Sequence, residues 1–89
     1  MSMVEDYVAR IEETCGEEKH FIVVFKYEVK NKVIAKILER AKVEKSFSQI
    51  VFELTFGSVS FRLYGTGKAI FRSLRDKEEL HKVLVDLLL

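Results

Sequence analysis

From Phe47 to Phe56 the chain alternates between two sets of residues. Ser48, Ile50, Phe52, Leu54 and Phe56 fall on one side, and Phe47, Gln49, Val51, Glu53 and Thr55 on the other. A period of two is the mark of a half-buried strand. Gly57-Ser58 then fits a two-residue hairpin turn. Beyond it Val59, Phe61 and Leu63 point inward, while Ser60, Arg62 and Tyr64 point outward. Gly65-Thr66-Gly67 predicts a second tight turn, and Lys68 to Leu74 alternates again, with Ala69 and Phe71 set against Lys68, Ile70 and Arg72.

The segments before and after read differently. Met3, Val4, Tyr7, Val8, Ile11 and Cys15 recur at three- and four-residue spacing, which predicts an N-terminal helix over residues 1–16, with Ser2 as its cap and Gly16 just past its end. Phe21 to Lys30 is rich in β-branched and aromatic residues and predicts a strand, with Phe21, Val23, Phe25, Tyr27 and Val29 on one face. Its other face, Ile22, Val24, Lys26 and Glu28, is half apolar, as in a strand that is central or covered on both sides near its start. Asn31 is the expected cap of a helix reaching about Lys45, with Ile34, Ile37, Leu38 and Ala41 on its inner side. A last helix opens at Asp76, with Glu79 three residues on, and carries the stripe Leu80, Val83, Leu84, Leu87, Leu88.

The order predicted is α-β-α-β-β-β-α. Strands joined by tight turns pair antiparallel, and amphipathic helices must cover one sheet face. The expected architecture is therefore an α+β two-layer sandwich: a four-stranded antiparallel sheet with helices on one face.

Composition narrows the function classes. The chain has 89 residues, the size of a single domain. Hydrophobic residues make up 48% and charged residues 33%, which suits a folded soluble domain rather than a disordered one. The net charge is +1, so any nucleic-acid surface must come from local clustering of cations. A single cysteine, Cys15, permits no intrachain disulfide, reads as a small apolar filler, and points to the cytoplasm. No run nears the roughly 20 apolar residues of a membrane span, and no signal peptide is expected. The absence of proline together with abundant Lys and Glu is compatible with a thermophilic source.

Tyr64-Gly65-Thr66-Gly67-Lys68-Ala69-Ile70-Phe71-Arg72-Ser73-Leu74-Arg75-Asp76 follows a pattern of aromatic, small residue, Gly, Lys, apolar run and acidic helix start. With the order β-α-β-β-β-α over residues 21–89, this segment resembles one repeat of the TATA-binding-protein family. Phe47 stands where that family carries its first wedge phenylalanine and Tyr64 where it carries the second. Arg72 stands in place of a DNA-facing threonine. The resemblance implies a single repeat where the family's saddle has two, and hence a homodimer that rebuilds the pair.

The face left open by the helices is expected to carry Ile22, Val24, Lys26, Phe47, Gln49, Val51, Glu53, Thr55, Arg62, Tyr64, Lys68, Ile70 and Arg72. Cations interleaved with aromatics suit DNA or RNA, since cations neutralise phosphates while aromatics wedge or stack on bases. The candidate nucleic-acid residues are Phe47, Arg62, Tyr64, Lys68, Ile70 and Arg72. The same face equally suits a protein partner or self-association. Enzyme readings find little support. His20 and His81 have no metal-ligand spacing, and His81 reads as an ordinary surface residue. Cys15 has no histidine in a nucleophile arrangement. Gly65-x-Gly67-Lys68 lacks the spacing of a phosphate loop. No catalytic residue, metal or cofactor is expected.

Overall fold

A computed structural model describes residues 3–14, 20–48, 50–72 and 74–89. The expected roles of Ser2, Cys15, Gly16, Gln49 and Ser73 lie outside the described residues. The strands are β1 (Val8–Glu13), β2 (His20–Phe25), β3 (Lys42–Phe47), β4 (Val51–Phe56), β5 (Val59–Tyr64) and β6 (Lys68–Arg72). The helices are α1 (Lys30–Arg40) and α2 (Lys77–Leu88), and short 3-10 turns occupy Val4–Asp6 and Tyr27–Val29. All strands pair antiparallel in one six-stranded sheet of order β1-β2-β6-β5-β4-β3.

The α+β class stands, but the four-stranded sheet does not: the sheet has six strands, and the order β-β-α-β-β-β-β-α replaces the expected one. The first added strand is β1, expected as a helix. Its register slips between Val8 and Arg10, a bulge that leaves Val8 and Ile11 three residues apart yet on the same face. That spacing imitates a helical stripe. The second added strand is β3, expected as the tail of the second helix. The helix ends at Arg40, and Ala41 turns to an extended backbone with its N–H still bonded to Ile37. The slip between Val43 and Lys45 hides the alternation of β3 in the same way.

Other boundaries shift less. The expected strand Phe21–Lys30 ends at Phe25, and Tyr27 is 79% exposed in the following 3-10 turn. Asn31 lies inside α1, whose cap position is Val29, without a side-chain cap bond. Phe47 ends β3 rather than opening β4, and the chain turns back with Ser48 at φ 54° and Ile50 exposed. Both hairpin turns after β4 and β5 fall where glycine predicts them, with Gly57 at φ 62° and Gly67 at φ 96°. At α2 the Asp76 side chain accepts the N–H of Glu79 at 2.9 Å, as its spacing predicts.

The core lies between one sheet face and the two helices. Phe21, Phe71, Phe61 and Leu54 stand opposite one another on four successive strands and are all buried. Phe61 and Phe71 stack with centroids 4.7 Å apart. Val33 and Ile37 of α1 and the whole predicted stripe of α2 close over them. No basic residue occupies the last turn of α2, so α1 supplies the cations there. Lys36 Nζ donates to Leu88 O at 2.9 Å and Arg40 Nη1 to Asp86 O at 3.2 Å, serving carbonyls that the helix end leaves unpaired.

Candidate nucleic-acid interface

With both helices on one side, every second residue of each strand points to the uncovered side. The register aligns these residues in rows that run from one sheet edge to the other. One row reads Arg10, Val24, Lys68, Tyr64, Val51, Phe47. The next reads Glu12, Ile22, Ile70, Arg62, Glu53, Lys45. Beyond it His20 stands opposite Arg72, and Thr55 opposite Lys42.

All six candidate residues therefore share the uncovered face. Phe47, Tyr64 and Lys68 fall in a single row, with Val51 between the two aromatics. Two strand spacings put the backbones of Phe47 and Tyr64 about 10 Å apart. Phe47 is 49% exposed. Lys68 Nζ sits 5.1 Å from the centre of the Tyr64 ring, a cation over an aromatic face. Lys26, expected on this face, lies past the end of β2, where its N–H bonds Tyr7 O. Lys45 and Lys42 join the face although their stretch reads as helix in sequence. The only signal for them is the break of helical pattern after Ala41.

The charges sort into pairs and free cations. Arg10 pairs with Glu12 at 2.9 Å and Lys42 with Glu44 at 3.6 Å. Arg62 Nη2 pairs with Glu53 Oε1 at 2.5 Å, both side chains being about one-third exposed. This hydrogen bond chiefly, with the positive charge of Arg62, Lys45 and Arg72, holds the Glu53 carboxyl below its ordinary range, despite some desolvation. The Arg62 guanidinium is held charged above its ordinary range in turn, by Glu53 first and then by the Tyr64 hydroxyl. Lys45, Lys68 and Arg72 remain without a carboxylate in ion-pair range among the described residues. The face thus carries three positive charges in excess of its carboxylates on a chain whose net charge is +1.

A shallow hollow of about 200 Å³ opens on this face between Glu44, Glu53, Thr55, Ser60, Arg62 and Arg72. Thr55 Oγ1 donates to Glu44 at 3.3 Å, and Arg62 Nε is buried with no acceptor among the described residues. The hollow's titratable groups are carboxylates and guanidiniums, and the hydrogen bond from Arg62 drives Glu53 toward its charged form. Among the described residues no group of three or more His, Cys, Asp or Glu side chains is placed to hold a metal ion, and no helix is long and apolar enough to cross a membrane. Compared with known proteins, the chain matches no family model, no curated sequence and no solved structure.

Proposed function

We propose that the chain is a non-catalytic, cytoplasmic binding domain whose uncovered sheet face takes nucleic acid. The observation that carries this reading is the set of three cations without carboxylate partners, Lys45, Lys68 and Arg72, on the same face as exposed Phe47 and half-buried Val51 and Tyr64. Cations without carboxylate partners are free to displace counterions from phosphates. Aromatic side chains on a flat platform stack on bases or wedge between them. The resemblance of the Tyr64–Asp76 motif to that of a TATA-binding-protein repeat points the same way, without the strand order or the strand-opening place of Phe47 expected with it. Arg62 takes a different part from the one its position suggests. Because Glu53 neutralises it, it orders the centre of the face, and Lys68 and Arg72 meet the phosphates.

Fluorescence anisotropy with labelled duplex DNA, single-stranded DNA and RNA tests the proposal. Affinity should fall steeply with salt. Lys68→Ala with Arg72→Ala should lower the slope of log K against log salt by about 1.4–1.8, the yield of two phosphate contacts. Tyr64→Ala should weaken binding without changing that slope. Absence of binding at low salt to all three probes would refute the reading.

One observation favours a protein partner instead. Phe47 on the uncovered face and Ile50 in the turn after β3 are both exposed, as is Val43 at the same edge. An apolar contact there tolerates salt, ignores Lys68→Ala, and is lost with Phe47→Ala.

A further inference from the structure

The sheet ends at β1, and the pairing of β1 with β2 decides which backbone groups face outward. Thr14 donates to His20 O and Lys26 to Tyr7 O, both at 2.9 Å, while Phe25 donates the other way, to Gly67 O, at 2.8 Å. Bonded and non-bonded pairs alternate along an antiparallel ladder. Arg10–Val24 and Glu12–Ile22 therefore exchange bonds inside the sheet. Ile11, opposite Val23, turns its N–H and C=O toward the free edge.

An antiparallel pairing of β1 with a second β1 about a two-fold axis must be centred on such an outward residue. Centred on Ile11, it lets the two Ile11 backbones exchange both hydrogen bonds, with overlap from Ala9 to Glu13. Arg10 of one copy then stands opposite Glu12 of the second, and Glu12 opposite Arg10. These are non-hydrogen-bonded positions, where side chains come closest. Each Arg10 already holds its own Glu12 at 2.9 Å, so the two copies form a square of alternating charge on the uncovered face. On the helix side Ile11, 37% exposed, gains as an apolar neighbour the Ile11 of the second copy. Centring on Glu13 instead would set carboxylate against carboxylate.

The opposite edge offers its charge match only across a bulge. The two-residue turn after Phe56 makes Phe56–Val59 a bonded pair, so by alternation Lys45 and Phe47 bond inward to β4. Outward positions are then Ser46, opposite Phe52, and Val43, opposite Leu54, just before the bulge. Centring on Val43 sets Lys42 opposite Glu44, but Glu44 is the extra residue of the bulge and interrupts the ladder there, and centring on Ser46 leaves only residues 45–47 to overlap. Exposed lysines, here Lys42 and Lys45, also keep an edge unpaired.

We infer that two copies of this chain associate through β1, centred on Ile11, into one continuous sheet whose uncovered faces abut. The inference stands on register and charge, independently of what that face binds. The contact is a small one, so association should be weak and concentration-dependent.

Sedimentation equilibrium of the full chain from micromolar to millimolar concentration tests it. The wild type should show a reversible monomer–dimer equilibrium. R10E or E12R alone makes both cross-copy pairs like-charged and should weaken self-association about tenfold. An equimolar mixture of the two variants should recover association, since one then presents only acids and the other only bases. The double variant R10E/E12R should recover it alone. Circular dichroism on each variant confirms that it is folded; both positions are exposed. A wild type that stays monomeric throughout overturns the inference. So does a single variant that dimerises as well as the wild type, or a mixture of folded variants that fails to associate.

Discussion

At the scale of single residues, the Arg62–Glu53 pair is the most informative feature of the uncovered face. It was readable in principle from the chain. A two-residue turn at Gly57-Ser58 pairs Phe56 with Val59, and counting outward in steps sets Leu54 against Phe61 and Glu53 against Arg62. What sequence could not reveal is that Lys45 stands on the other side of Glu53, because its strand pairs only through a bulge. The pair makes an unusual prediction about binding. Glu53→Gln removes a negative charge and releases Arg62, so nucleic-acid affinity should rise, with a steeper salt dependence, where most substitutions on a binding face lower it. Anisotropy at two or more salt concentrations checks this; unchanged or weaker binding would mean that Arg62 lies outside the contact. The same residue sets part of the acid stability. Its carboxyl titrates below its unfolded range, so the pair stabilises the fold above that range and loses its effect as pH falls through the depressed value. Urea midpoints measured from about pH 6 down to about pH 3 should fall less steeply for Glu53→Gln than for the wild type.

At the scale of elements, sequence patterns succeeded where the local rule ran uninterrupted. The hairpins at Gly57 and Gly67, the inward sets of β5 and β6, and the capped stripe of α2 all follow from spacing alone. They failed at both sheet edges, where a bulge adds one residue to the strand. In β1 it puts Val8 and Ile11 on one face at a spacing of three, which in an apolar segment reads as helix. In β3 it hides the alternation, so that Lys42, Glu44 and Lys45 read as the solvated side of a continuing helix. The turn and cap assignments have measurable consequences. Gly67→Ala should destabilise by about 1–3 kcal/mol, because φ is positive there. An added Cβ would also lie 3.2 Å from Lys30 Cβ. Gly57→Asn should cost well under that, since Asn tolerates the left-handed region and the site is open. Asp76→Ala removes the bond to the Glu79 N–H and should cost about 1 kcal/mol. Thermal or urea unfolding ranks the three; equal losses at Gly57 and Gly67 would contradict the backbone assignment.

At the scale of the whole molecule, the decisive fact is where the last strand goes. β6 lies between β2 and β5, so it joins the hairpin β1-β2 to the meander β3-β4-β5. Neither part can finish the sheet without it. Its inward residues, Ala69 and Phe71, are fully buried, and Phe71 lies between Phe21 and Phe61 in register. α2 follows β6 directly and closes the core with Leu80, Leu84, Leu87 and Leu88. Residues 68–88 thus supply the centre of the structure, paired in part with a strand more than forty residues earlier, and long-range pairings of this kind are slow to form. Stability should accordingly be lowest at the two edges and highest along β2, β6 and β5. Native-state hydrogen exchange should find the amides of Phe21, Val23, Phe61, Leu63, Ala69 and Phe71 opening only with global unfolding, and the outward amides of β1 and β3 exchanging by local fraying. Phe71→Leu removes the ring stack at this junction. It should lower the opening free energy of all the central amides by the same amount, of order 1–3 kcal/mol, while leaving the edge amides unchanged. If instead only β6 and its neighbours in sequence responded, the β1-β2 hairpin would be an independent unit, and β6 would not be what unites the sheet.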